Sequence, residues 1–210
     1  PFRAEAHFAR LARSLAAIRM ADPLTSAQWN ELLAQLIAQH PWPRQTIYMQ
    51  VTRGVAKRDH MFPADVAPTV FAMASEWPPI ARASIEQGVR ALTHADERWL
   101  HCDIKSTSLL GNVLMKQYAV ERDASEAILL RDGLLTEGSS SNVFIVRNGV
   151  IAAPTQSALM LSGITYDATL AIARSHGATV ELRAISEAEL RSADEIWLSS
   201  SGREIMPVTE

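Results

Sequence analysis

The sequence holds one cysteine, three lysines and few aromatic residues, and each shortage excludes something. Cys102 alone cannot form an internal disulfide, so the chain is no cross-linked miniature scaffold, and a reducing compartment suits it. Its apolar runs are too short to cross a bilayer, and no charged-then-apolar signal segment opens it. Positive charge is not in excess either. The formal net charge of −3 lacks the clustered basic footprint of a nucleic-acid binder. His94, His101, Cys102 and Asp103 are near neighbours, but their spacing matches no standard metal site. The serines at 139–141 lack the Gly-x-Ser-x-Gly elbow of a serine hydrolase. An initiator Met is missing as well. Pro1 leads directly into a helical pattern, so the N-terminus is expected to be a cut one.

What is present reads as a globular protein. The 210 residues, 48% apolar and 20% charged, fit one large domain or two small ones. Phe8, Leu11, Leu15 and Ile18 form one helical stripe between Ala4 and Met20. A second helix is expected from a Ser26 cap through Trp29, Leu32, Leu33, Leu36 and Ile37, stopped by Pro41 and Pro43. Thr46 to Arg53 reads as a strand ended by Gly54, and Pro68 to Ala74 as another. Glu76-Trp77-Pro78-Pro79 is the candidate linker, since its prolines lack donors and hold the chain extended. The boundary predicted there separates a smaller α/β domain, 1–78, from a larger cofactor-binding domain, 79–210.

Beyond the linker, strands are predicted at Gly88 to Thr93, Glu126 to Leu130 and Asn142 to Val146. Leu109 to Arg122 reads as a helix with Leu110, Val113, Leu114 and Tyr118 inward. Asn148-Gly149 is a two-residue hairpin signal. A helix from Ile164 to Ser175 closes at Gly177, followed by a strand at Thr179 to Leu182, a short helix at Ser186 to Arg191 and a strand at Glu195 to Leu198. The fold class is mixed α and β, with too many hairpins for a simple parallel sheet.

Scarce lysine limits amine chemistry to Lys57, Lys105 and Lys116. Lys105 lies between an expected strand and a strongly apolar helix. It reads either as a surface residue or, desolvated by that helix, as a Schiff-base nucleophile. Thr136-Glu137-Gly138-Ser139-Ser140-Ser141-Asn142, set before a strand, is either a plain loop or a set of backbone and hydroxyl donors around one carboxylate. Such donors suit a phosphorylated ligand with a cationic ring. Ser162-Gly163-Ile164-Thr165 opens a helix, where capping and anion binding call for the same residues. Ser199-Ser200-Ser201-Gly202 reads as a hydroxyl-rich turn with the same two meanings. Arg58-Asp59-His60 is a solvated loop or a carboxylate clamp.

The order of Lys105, Thr136-Glu137-Gly138-Ser139-Ser140-Ser141-Asn142-Val143-Phe144 and Gly163-Ile164-Thr165 resembles the fold-type IV pyridoxal 5'-phosphate (PLP) enzymes. Within that group, Ile47-Tyr48-Met49-Gln50-Val51-Thr52-Arg53-Gly54 with Arg58-x-His60 is similar to the D-amino acid aminotransferase branch. The resemblance runs from His7 to Val208 and implies two α/β domains with the cofactor between them. It implies Lys105 as the Schiff-base lysine and Glu137 as partner of the pyridine nitrogen. Arg10, Ile164, Thr165, Ser200 and Ser201 would serve the cofactor phosphate, and Leu161 would pack on the ring. Tyr48, Arg58 and His60 would hold the substrate. The implied activity is transamination between D-amino acids of the D-alanine type and 2-keto acids, by a cytoplasmic homodimer. An aminodeoxychorismate lyase or a branched-chain aminotransferase of the same fold is the alternative, and a non-catalytic binding domain the more distant one. The family's opening strands have no counterpart before His7, so an excised core of a longer enzyme is expected.

Overall fold

Phe8, Leu11 and Leu15 fall on one stripe, and the chain is helical there, with α1 spanning Ala4–Ala17. The computed structural model describes residues 1–210. Helix α2, Ser26–Ala38, has its cap one residue earlier than expected: Thr25, not Ser26, accepts from the Gln28 N–H, and Gln28 answers at the Thr25 N–H. Strands β1, Gln45–Thr52, and β2, Thr69–Glu76, pair antiparallel. Their alternation sends Ile47, Met49, Val51 and Val70 against buried Phe8, Trp29 and Leu33 of the two helices. Tyr48 and Phe71 lie on the opposite face and meet edge to face. These elements make up the first of two compact units, Pro1–Pro79; the second is Ile80–Glu210.

The second unit opens with α3, Arg82–Gln87, a helix not expected from the sequence, just ahead of the strand expected from Gly88. Gly88 instead turns the chain at φ 69, and β3 starts at Ala91, running to Ala95. Helix α4, Leu110–Val120, crosses over to β4, Glu126–Arg131, which lies parallel to β3. Asp132 and Gly133, at φ 51 and 74, turn β4 back into β5, Leu134–Gly138. A five-stranded sheet follows, in the order β10-β9-β6-β7-β8. It comprises β6 (Asn142–Arg147), β7 (Val150–Ala153), β8 (Thr179–Leu182), β9 (Glu195–Ser200) and β10 (Glu204–Val208). Asn148-Gly149 makes the β6–β7 hairpin as its sequence demands. Helix α5, Ile164–Ser175, connects the parallel pair β7 and β8, and α6 spans Glu187–Arg191 behind a Ser186 cap. The class is mixed α and β.

Strand β6 explains its own apolar run, Val143-Phe144-Ile145-Val146. Phe144 and Val146 face Tyr166 and Leu170 of α5, while Val143 and Ile145 face Ile128, Leu135, Ile185 and Leu190. A strand covered on both faces needs no polar alternation. Helix α4 departs from expectation. Met115 and Ala119 are its buried residues, packed on Leu129, whereas Leu110, Val113 and Leu114 are 73%, 58% and 61% exposed. The stripe expected to face inward faces out, because the crossover needs only the narrow Met115–Ala119 edge to cover β4.

Candidate active site

Strand β5 ends at Gly138, and three serines carry the chain into β6. The reversal is tight: the Gly138 N–H donates to the Ser141 carbonyl at 2.7 Å, and a Cβ on Gly138 would run into the Ser141 hydroxyl. The serines do not offer their protons to a ligand. Glu126 at the start of β4 is buried and accepts from the hydroxyls of Ser139, Ser140 (2.8 Å) and Ser141 (3.0 Å). The Ala127 N–H supplies a fourth donor at 3.0 Å. That fills the roughly four acceptor positions of a carboxylate. The serine run is therefore internal bracing that holds the strand-to-strand turn, contrary to the donor role its composition invites.

Glu137 has a different partner set. The string leads into β6 as expected, but its carboxylate itself lies inside β5, and its side chain is 7% exposed. Oε1 accepts from the Arg98 guanidinium. Oε2 accepts from the Asn142 amide and the Leu161 N–H, both at 3.1 Å. Three donors leave one acceptor position, on Oε1, for a further N–H group. Burial pushes the Glu137 carboxyl up to about 7, against the pull of Arg98 and the Leu161 N–H. Arg98 is held in turn by Asp96, with Nε–Oδ1 and Nη2–Oδ2 both at 2.9 Å, and it also donates to the Leu159 carbonyl at 3.1 Å. Thr136 donates to Asp96 at 2.8 Å, and Arg131 approaches it at 3.3 Å. Burial works against the Asp96 anion, but Arg98 and Thr136 outweigh it and keep that carboxyl below its ordinary range.

Asn142 ties this carboxylate to the next segment. Its amide also donates to the Leu161 carbonyl at 2.9 Å, and its Oδ1 occupies the space a Cβ on Gly163 would need. Gly163 is the N-cap of α5 and caps nothing with a side chain. The first-turn N–H groups of Ile164 and Thr165 therefore have no acceptor within their own helix. No side chain caps the helix at the Ser162-Gly163-Ile164-Thr165 segment, which leaves its start in the state that suits an anion. Asn142 pairs in register with Ser199 on β9, which brings Ser200 and Ser201 to the same end of the sheet. Ser199 and Ser200 belong to β9 rather than to a turn, and the buried Ser199 hydroxyl has no hydrogen-bond partner.

Lys105 lies in the segment between β3 and α4. That segment is pinned by Arg98 to Leu159 and by the Cys102 N–H to the Ala158 carbonyl at 2.7 Å. Lys105 is exposed, so the desolvation expected from α4 is not supplied: the apolar residues of that helix face solvent. Burial pushes the Cys102 thiol up, which keeps this neighbour a poor nucleophile. Of the other lysines, Lys116 donates to the Ser125 carbonyl and Lys57 is exposed on a loop of the first unit. Within the first unit, Arg10 is buried on α1, Tyr48 donates to Gln50 at 2.6 Å, and Arg58 and His60 are exposed. Arg98 and Asp96 are the residues that sequence reading missed. Asp96-Glu97-Arg98 looks like an ordinary solvated charge run.

Residues 1–210 match the family described as Amino-transferase class IV. The chain belongs to that family. This class IV aminotransferase is 41% identical to a D-alanine aminotransferase of Bacillus licheniformis, over 99% of this chain and 73% of the relative. It is 39% identical to one from Staphylococcus epidermidis, over 100% of this chain and 74% of the relative. A branched-chain amino acid aminotransferase from Thermobaculum terrenum, solved in its PLP form, superposes with a TM-score of 0.87 at 26% identity, covering 99% of this chain and 69% of that one. The branched-chain aminotransferase from Thermoproteus uzoniensis, solved with norvaline, gives 0.91 at 26%, over 100% and 71%. The fold-type IV architecture expected from the motifs is thus shared with solved enzymes.

Proposed function

We propose that the chain carries out PLP-dependent transamination between D-amino acids of the D-alanine type and 2-keto acids such as pyruvate or 2-oxoglutarate. The observation that carries this reading is identity over nearly the whole chain. D-alanine aminotransferases match at 41% and 39%, solved branched-chain enzymes of the same fold at 26% to 29%.

The second unit's residues fit the cofactor. The unfilled acceptor on Glu137 suits a protonated pyridine nitrogen, and the uncapped start of α5 with Thr165, Ser200 and Ser201 suits a phosphate. Leu161, whose backbone brackets Glu137 and Asn142, supplies an apolar surface beside them. When bound, PLP supplies an electron sink and the carbon that carries the amino group. Lys105 would hold the cofactor through its Nζ and, once released by substrate, would supply the amine that takes up and returns the substrate Cα proton. Glu137 would pair with the ring nitrogen and favour its protonated form. By motif, we assign Arg10 to the phosphate, Arg58 and His60 to the substrate carboxylate, and Tyr48 to the same pocket. Exposed Trp99, Leu109, Leu110, Val113 and Leu114 support a homodimer, since so much apolar surface on one unit suits a second copy. No helix is long and apolar enough to cross a membrane. The single unpaired cysteine is in keeping with the cytoplasm, where we place the enzyme.

Borohydride reduction of the PLP-loaded protein, followed by peptide mapping, tests the assignment. The label is expected on Lys105, and Lys105→Ala is expected to abolish turnover. Label on Lys57 or Lys116 overturns it. Parallel assays of D-alanine, L-leucine and pyruvate release separate the D-amino acid reading from the branched-chain and lyase alternatives.

A further inference from the structure

We propose that Arg98 is a positioning residue for Glu137: clamped by Asp96, its guanidinium aims that carboxylate and favours its ionised form against burial, so that the proton shared with a bound pyridine ring is drawn to the ring nitrogen. The inference rests on the PLP reading above. Its structural half stands on the chain alone.

The guanidinium is held more firmly than a surface arginine. Its side chain is 3% exposed, and that of Asp96 is 0% exposed. Nε and Nη2 are taken by the two Asp96 oxygens, and Nη2 also reaches Leu159. The Arg98 N–H closes on Asp96 Oδ1 at 3.2 Å, and the Arg98 carbonyl accepts from Arg131 at 2.7 Å. Movement of this planar group is thereby opposed: the plane cannot rotate without breaking the paired bonds to Asp96, and the backbone cannot shift without releasing Arg131. Nη1 is left pointing at Glu137. A Cβ on Gly111 would come within 3.2 Å of the Arg98 Cγ, so α4 also closes off the stem.

Charge follows from the same contacts. The groups facing Glu137 are the Arg98 cation, the Asn142 amide and the Leu161 N–H; Asp96 and the Cys102 thiol stand behind Arg98, and Arg131 behind Asp96. Arg98 is a cation that touches the carboxylate, while burial and the Asp96 anion oppose ionisation. A contact made to the carboxylate itself stabilises its ionised form over its protonated form. A proton placed between this carboxylate and a ring nitrogen is then directed to the nitrogen. Without Arg98, a carboxyl with this burial keeps the proton, and the ring is left a weaker acceptor of electrons.

The test uses the full chain in two forms. In the cofactor-free protein with 13C-labelled glutamate, the Glu137 resonance (assigned by its loss in Glu137→Gln) is titrated with pH. In the loaded protein, PLP labelled with 15N in the ring reports protonation of that nitrogen. For Arg98→Met, the Glu137 midpoint is expected to rise by about one pH unit or more, roughly a tenfold change in proton affinity. The ring nitrogen is expected to shift toward its unprotonated signal, and kcat to fall far more than KM changes. Arg98→Lys, which keeps the cation but loses the paired contacts, should return most of the midpoint and less of kcat. If Arg98→Met does not fold, Asp96→Asn/Arg98→Met, which removes the stranded carboxylate, must still show a rise, a smaller one because the Asp96 anion no longer opposes ionisation. An unchanged midpoint in whichever variant folds overturns the proposal. A raised midpoint with identical ring 15N signals in wild type and Glu137→Gln overturns the pairing of Glu137 with the ring, and leaves only the structural half.

Discussion

Glu137→Gln should change how stability depends on pH more than it changes stability at any one pH. The wild-type carboxyl moves from an ordinary value of 4.5 to about 7 on folding. A group whose folded value is raised contributes stability that is fully present below the unfolded value and is lost as pH rises through the folded one. Between pH 4.5 and 7 the folded chain binds more protons at this position than the unfolded chain. The free energy linked to the whole shift is on the order of 3 kcal/mol. Glutamine preserves the shape and one acceptor but cannot titrate. Wild type should therefore lose stability relative to the variant by about 2–3 kcal/mol from about pH 5 to about pH 8. Asp96 does not interfere, because its carboxyl is shifted the other way and titrates below this window. Urea unfolding across the series, with hydrogen exchange at the amides of β5 and β6, measures the difference where Glu137 sits. A constant difference from pH 5 to pH 8 would refute the reasoning, since Glu137 would then be ionised throughout.

Two further outcomes are expected. Gly163→Ala should place its methyl on the Asn142 amide oxygen and cost about 2 kcal/mol, the scale of one hydrogen bond to a charged group. PLP affinity should fall with it, and a double-mutant cycle with Asn142→Ala should show strong coupling; additive effects would place the damage elsewhere. Arg58→Ala should leave the melting temperature nearly unchanged, because the residue is exposed in the first unit. It should still lower kcat/KM for D-alanine by about 2 kcal/mol or more and relax the preference for D- over L-alanine. An unchanged D/L ratio would move the carboxylate contact to other residues.

Much of the fold was legible because local signals and tertiary demands agreed. Helix α5 begins and ends where its glycines place it, and Asn148-Gly149 makes its hairpin. Two of the missed strands each carry residues that argue against a strand. Asp132-Gly133 is a hairpin signal as good as Asn148-Gly149, but the apolar run of β5 is broken by Thr136 and Glu137, so the strand reads as a loop. Strand β10 contains Pro207, which argues against a strand; it is tolerated because β10 is the edge of its sheet. The direction of α4 was not available from its pattern. Periodicity says that a helix has an apolar face, not that the same chain covers it.

Buried carboxylates show where sequence reading reaches its physical limit. Asp96, Glu126 and Glu137 are all buried in the second unit, and composition treats them alike. What separates them is the number of donors that reach each one. Glu126 takes three serine hydroxyls and a backbone N–H. Asp96 takes the Arg98 side chain through two nitrogens, the Arg98 N–H and Thr136. Both are saturated, and a saturated buried carboxylate braces the fold without being able to bind anything more. Glu137 stops at three donors, and its side chain keeps a trace of exposure. An acceptor left open inside a protein is costly unless something fills it. The open position is therefore the mark of a ligand, and it falls on the carboxylate that the motif singles out. The count depends on Arg98, which is 39 residues away in sequence and sits in a charge run of no local distinction. No window along the chain contains that information; only the fold brings the donors together.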